Sequence, residues 1–310
     1  MSSPTVTTNL ISINTNSTSH IPKTSSGLPR IPFDLRAHKT GIIITWSSIL
    51  LTSCLLPILG YFLLRYKTSL ELTVVFAIST SPCGAVSLFS LFSRTYALFR
   101  KDSTCRPLPS TSSTTPSRGD TPGRWHLDNF NYNFAFCFAI ITIILSTAIS
   151  HQPTSNIRLI SVPIAVLLLL VCSQLVLVPL LIALDVRAPF RFSSLAAGER
   201  LRPATFIIAE DVVAVDGGGG TEFRRRWNER YDASADFRRL MVRLDLLWGF
   251  SGLALAGGIF GVVFGVQEEN VGYVVGWGAP WVWAAGMALV TLRMTTATLR
   301  REEGGEGWAC

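Results

Sequence analysis

The sequence predicts an all-α polytopic membrane protein with about six transmembrane helices and one charged juxtamembrane segment on the cytosolic side. Three observations carry this. Six apolar stretches cover residues 41–64, 70–92, 130–149, 159–184, 246–266 and 271–292. Each is near the roughly 20 residues a helix needs to cross about 30 Å of hydrocarbon, and only internally bonded helices satisfy the backbone there. The chain of 310 residues is 48% apolar and 15% charged, against about 25% charged in a soluble domain. Finally, 24 of the 27 Lys and Arg fall on one side of the six spans, leaving Arg65, Lys67 and Arg158 on the other. That bias puts both termini in the cytosol.

The same numbers exclude other classes. The net charge of +7 sits in loops beside apolar spans, which is an orientation signal and not a nucleic-acid face. The expected partners are the lipid bilayer, anionic lipid headgroups and proteins docking on the cytosolic face. Of the six cysteines, Cys54, Cys83, Cys137 and Cys172 fall inside spans, where Cys acts as a small hydrophobe. No CxxC and no zinc-type Cys/His spacing occurs, so neither metal nor cofactor is expected.

In chain order, residues 1–31 form a Ser/Thr-rich tail expected to be disordered, with no charged-then-apolar signal sequence. Residues 32–93 hold a short amphipathic lead-in and spans one and two. Residues 94–129 form a cytosolic loop carrying the Pro/Ser/Thr tract Pro107–Gly123, then Trp125 as an interfacial anchor and His126 as an exposed polar residue. Residues 130–184 hold spans three and four. Pro82 and Pro163 are expected to kink spans two and four, and Gln174, the single amide deep in a span, to bond another helix. Residues 246–292 hold spans five and six. In span five, Gly257, Gly261 and Gly265 make two overlapping GxxxG motifs, read as close packing within the chain's own bundle. Trp277, Trp281 and Trp283 in span six read as an aromatic belt at the outer interface. Residues 293–310 are a short cytosolic tail. No span carries Asp, Glu, Lys, Arg or His at its centre, which argues against an ion-coupled transporter.

Residues 185–245 form the cytosolic hub. Arg187 and Arg191 alternate with aromatic and apolar residues in RAPFRF and are candidates for anionic headgroups. Glu210, Asp211 and Asp216 are the candidate catalytic carboxylates. On a helix they stand at about 0°, 100° and 240° and on a strand they divide between faces, so no site forms from this segment alone. The competing reading pairs these acids with nearby arginines. Gly217–Gly220 lacks the features of a phosphate loop and reads as a mobile connection. Arg224, Arg225 and Arg226 with Trp227 form a basic–aromatic patch for anionic lipid, diluted by Glu222 and Glu229. Ser234 fits a helix N-cap, with Asp236 in the first turn of a helix running into span five.

The pieces PFDLR (32–36), RAPFRFSS (187–194), EDVVAVDGGGG (210–220), RYDASADFR (230–238) and GWGAPWVWA (276–284) resemble a fungal family of uncharacterised multi-pass membrane proteins. The resemblance covers most of residues 31–301. It implies the membrane fold and an association with specialised-metabolite pathways, and transfers no catalytic residue. The expected role is a non-catalytic accessory or scaffold. The alternatives are a membrane enzyme using the hub carboxylates on a lipophilic substrate, and an uncoupled carrier of small molecules or lipid.

Overall fold

A computed structural model describes residues 39–109, 127–150 and 156–304. The Ser/Thr-rich tail, the lead-in up to residue 38, most of the Pro/Ser/Thr tract, Trp125, His126 and the last six residues lie outside the described residues. Within them the helices are α1 (Lys39–Leu50), α2 (Leu56–Lys67), α3 (Leu72–Phe99), α4 (Asn129–Ile149), α5 (Ile157–Ile160), α6 (Pro163–Ala183), α7 (Ala204–Val215), α8 (Gly220–Ala233), α9 (Ala235–Gly265) and α10 (Glu269–Gly304). A π-helical turn, Leu51–Leu55, joins α1 to α2. Six helical segments are long and apolar enough to cross a membrane, and no strand occurs among the described residues, only isolated bridges. The protein is an all-α, polytopic fold.

Local sequence explains several helix ends. Pro57 cannot donate a backbone hydrogen bond, and the π turn just before it absorbs the break. Pro163 does not kink the fourth span. It starts α6, at a position where the missing N–H is free of cost. Pro82 does lie inside a helix. Ser234 caps α9 by accepting from the Phe237 amide at 3.0 Å. Gln174 of α6 donates to Asn133 of α4 at 3.1 Å, joining two spans as expected.

The bundle core sits between α6, α9 and α10. A Cβ on Gly249 would meet Val176 Cγ2 at 2.6 Å, and one on Gly252 or Gly276 would collide with Cys172 or the Ser161 carbonyl. The close approaches are therefore at Gly249, Gly252 and Gly276. The GxxxG glycines predicted to pack inside the bundle do not: Gly257, Gly261 and Gly265 have no atom within 4 Å of an added Cβ. Helical phase explains the difference, since Gly249, Gly252, Ala256 and Ile259 make one buried stripe and the GxxxG residues lie off it.

Trp277 also departs from the aromatic-belt reading. It is buried, with Nε1 donating to the Ile160 carbonyl at 3.0 Å. With Tyr61, Phe76 and Tyr273 it forms an aromatic core at the end of the bundle away from the hub. Tyr273 Oη donates to the Pro57 carbonyl at 2.9 Å and Tyr61 Oη to Asn270 Oδ1 at 2.7 Å. Trp283 is half-buried, edge-on to Trp248.

Thermal unfolding in detergent separates the two glycine sets. Gly276→Ala is expected to lose about 1–3 kcal/mol by overpacking. Gly261→Ala, with open space at its Cβ, should leave stability unchanged or slightly raised.

Candidate functional site

The hub helices α7 and α8 and the first turns of α9 enclose a core that resembles a small soluble domain. Phe206, Ile207, Phe223, Trp227, Phe237, Leu240 and Leu244 are all buried there. Trp227 Nε1 donates to the Phe206 carbonyl at 3.2 Å, and its ring packs edge-on to Phe237. Trp227 therefore faces the interior and not a headgroup layer. The start of α7 has only Pro203 as its N-cap. Its free amides are met from another helix: Asp245 of α9 accepts from Ala204 N at 2.8 Å and Thr205 N at 2.7 Å. A carboxylate at a helix N-terminus satisfies both the unpaired donors and the dipole.

Between this core and the ends of α3 and α4 lies a cluster of buried charge. Glu210 and Asp211 point about 100° apart on α7, and Arg224, reaching across from α8, meets both. Its Nη1 lies 2.6 Å from Asp211 Oδ1 and 3.1 Å from Glu210 Oε1. Its Nη2 is 3.4 Å from Asp128 Oδ2, and its Nε donates to the Cys105 carbonyl at 3.1 Å. Arg94, near the end of α3, lies 2.6 Å from Asp128, donates to the Asp211 carbonyl at 2.9 Å, and pairs with Asp216 at the end of α7. Its guanidinium sits 4.5 Å from the Phe130 ring centroid. Ser193 Oγ donates to Asp211 Oδ2 at 2.5 Å, Phe130 N donates to the same oxygen at 3.1 Å, and Ser194 donates to Glu210. Asp128 also caps α4, accepting from Asn131 N at 2.9 Å.

The three sequence candidates thus gather around one cluster, through arginines rather than with one another. Glu210 and Asp211 are sealed, while the Asp216 side chain is 49% exposed. Sequence reasoning missed Arg94, Asp128, Ser193, Ser194 and Asp245. The one available signal was at Asp128, three residues before Asn131 at the start of an apolar run, the spacing of an N-cap. Arg94 lay hidden because α3 continues past the apolar stretch to Phe99.

The lipid-contact candidates divide. Arg224 is not accessible, since its side chain is 0% exposed and surrounded by carboxylates; it follows Phe223 into the interior as the helix turns. Arg225 pairs with Glu222 and Glu229, and Arg226 with Glu222. Arg187 and Arg191 stay exposed, donating to the Gly198 carbonyl at 3.1 Å and the Ser193 carbonyl at 2.9 Å. The glycine run is a built turn and not a loose connection. Gly218 and Gly220 take positive φ, and Gly220 approaches the Thr104 carbonyl so closely that a Cβ would lie 3.0 Å from it.

Electrostatics follow from counting the cluster. Asp128, Glu210, Asp211 and Asp216 face two guanidinium groups, so complete ionisation would leave uncompensated negative charge. Burial pushes Asp211 up to about 7; the Asp128 charge adds to this, while Arg224 and the Ser193 hydrogen bond pull the other way. Arg224 closes off Glu210 and Asp211, while Asp216, paired with Arg94, stays half exposed. Among the described residues no group of His, Cys, Asp and Glu has an arrangement suited to a metal ion.

The model of one protein family, described as a domain of unknown function (DUF8766), matches residues 14–308. No curated protein and no solved structure matches the chain.

Arg224→Met should lose about 3–5 kcal/mol, because Glu210 and Asp211 are left buried without a partner. Arg225→Ala and Arg226→Ala should each stay within about 0.5 kcal/mol. Denaturation of purified protein, read beside expression level, checks the contrast. The raised Asp211 also sets a pH dependence. Its neutral form favours the folded state, so its contribution is complete below about pH 4 and is lost as pH rises to about 7. Asp211→Asn should remove that component, flattening the pH profile of the melting temperature over this window relative to the wild type.

Proposed function

The chain belongs to the DUF8766 family, which has no assigned activity, and we propose that it is a non-catalytic accessory or scaffold protein of a membrane. The carrying observation is the fate of its acids: the Glu210 and Asp211 side chains are 2% and 0% exposed and both are held by Arg224. A catalytic carboxylate needs a path to substrate. These instead tie the ends of α3 and α4 to the hub, making a rigid platform on one side of the bundle.

The excess of Lys and Arg on the hub side supports a cytosolic placement of that platform and of both termini. Exposed Arg187 and Arg191, beside the exposed Phe190 ring, suit anionic headgroups at its edge. Protein partners dock on the outer surface of α8, where Arg225, Arg226, Glu222 and Glu229 form a mixed-charge face. The fungal setting and service to a specialised-metabolite pathway rest on the sequence resemblance alone.

The test is gene deletion with metabolite profiling, complemented by Glu210→Gln/Asp211→Asn/Asp216→Asn at matched protein level. The scaffold reading expects the variant to restore the wild-type profile whenever the protein accumulates. A well-folded variant, present at the wild-type level, that leaves one intermediate accumulating would make the carboxylates chemical participants and overturn it.

A further inference from the structure

A shallow groove of about 270 Å³ lies between the end of α2 and the start of α10, lined by Phe62, Asn270, Val271, Val274 and Val275. It is at the end of the bundle away from the hub. Helical phase opens it to the bilayer. Val271 and Val274 are exposed, and the stripe that starts at Val271 continues through Val282 and Leu289, 77% and 64% exposed. Both return to within about 20° of the Val271 direction. On α2, Phe62 flanks the exposed side chains of Leu59, Leu63 and Tyr66. Both helices belong to membrane-crossing segments, so this face meets lipid.

The groove has a floor and two ends. Inward of it the buried rings of Tyr61 and Tyr273 pack 4.8 Å apart. Deeper in the bundle α2 and α10 close on each other, since a Cβ on Gly278 would touch Ile58 Cδ1 at 3.7 Å. At the opposite end the charges begin. Arg158 lies 3.5 Å from Glu269, the first residue of α10, and Arg65 and Lys67 stand in the last turn of α2. Such residues anchor a helix at the headgroup level. Asn270 therefore stands at the interface, with Val275 about 7 Å deeper in the hydrocarbon.

Two features select the occupant. The first is polar. Tyr61 Oη donates to Asn270 Oδ1 at 2.7 Å, and among the described residues the Asn270 Nδ2 has no hydrogen-bond partner. A donor at the rim of an apolar seat calls for an acceptor oxygen at the interface. The second is stiffness. Valine in a helix keeps nearly one rotamer, and the Phe62 ring is held edge-on by Tyr61 at 5.1 Å and stacked by Tyr66 at 6.1 Å. A rigid ring system loses little freedom against such a wall, whereas an acyl chain must be straightened to lie along it. A phospholipid can offer an ester carbonyl to the same amide, but only at that cost in chain freedom.

We propose that this groove seats a membrane sterol. Its hydroxyl oxygen accepts from Asn270 Nδ2, and its rings lie along Val271, Val274, Val275 and Phe62.

The experiment places the full purified chain in phosphatidylcholine vesicles containing a photoreactive cholesterol analogue, with cross-linked peptides mapped by mass spectrometry. A phosphatidylcholine with a photoreactive acyl chain is the parallel probe. Sterol label should concentrate on the segments holding Phe62 and Val274 and be displaced by excess cholesterol. Epicholesterol, with its hydroxyl inverted, should displace it about fivefold less well. The phospholipid probe should spread over the exposed faces of the spans. Val274→Trp fills the groove from an exposed position and should cut sterol labelling there about tenfold. Val282→Trp, on the same lipid-facing stripe beyond the groove, should leave it unchanged. Asn270→Ala should erase the preference for cholesterol over epicholesterol, a readout that loss of the Tyr61 contact alone does not move. Sterol label spread evenly over the spans, phospholipid label concentrated on the same two segments, equal displacement by the two sterols, or wild-type labelling of Val274→Trp would overturn the assignment.

Discussion

The architecture of the hub depends on how buried guanidinium groups are matched to carboxylates. Arg224 is fully buried, and Arg94 nearly so. Removing such a group from water costs several kcal/mol, and the cost is met only when geometry and hydrogen bonds are both favourable. Here six separate chain segments converge to meet it: the end of α3, the loop at Cys105, the start of α4, the Ser193–Ser194 turn, α7 and α8. None can shift without exposing or stranding a charge. The cluster adds less net stability than an apolar core of equal volume would. Its effect is to define one relative placement of hub and bundle, because any other arrangement leaves an ion unpaired.

This constraint also explains the positions of weaker elements. Ser193 takes a left-handed φ of 48°, and its hydroxyl reaches Asp211 while accepting from Asn129 N at 2.9 Å. The Gly217–Gly220 turn brings Arg224 back over Glu210 and Asp211, and its glycines supply positive φ and a close contact with Thr104. At the far end of α10, Arg230 and Ser234 both meet Glu302, so the last helix is tied to the hub as well. The membrane bundle is held differently, by glycine approaches on α9 and α10 and by buried aromatic rings whose polar atoms find carbonyl partners. Charge organises one end of the molecule and shape the other.

Much of the site was legible only in part. The segment around Glu210, Asp211 and Asp216 stood out by composition, and pairing with local arginines was one of its two readings. Which arginines do the pairing was not readable. Arg224, Arg225 and Arg226 are adjacent and chemically identical, yet one is buried in the cluster and two sit on exposed i,i+3 and i,i+4 pairs. Their fates are decided by helical phase relative to a neighbour 14 and 13 residues earlier in the chain. Asp245 was similarly opaque: it looks like a span-end charge, and only the tertiary fold shows it capping α7.

The amino-acid sequence by itself determined the class and the number of long apolar helices, because hydrocarbon thickness and the need to pair every backbone group act locally, on stretches of about twenty residues. It also determined local ends such as Ser234, where cap and helix are contiguous in sequence. The tertiary structure decided which glycines and tryptophans face inward, which arginine is buried, and how acids on different faces of one helix come to share a partner. These depend on the rotation of one helix against another. A twist of 100° per residue separates adjacent side chains, so identical neighbours in sequence acquire opposite environments once a second helix is in place.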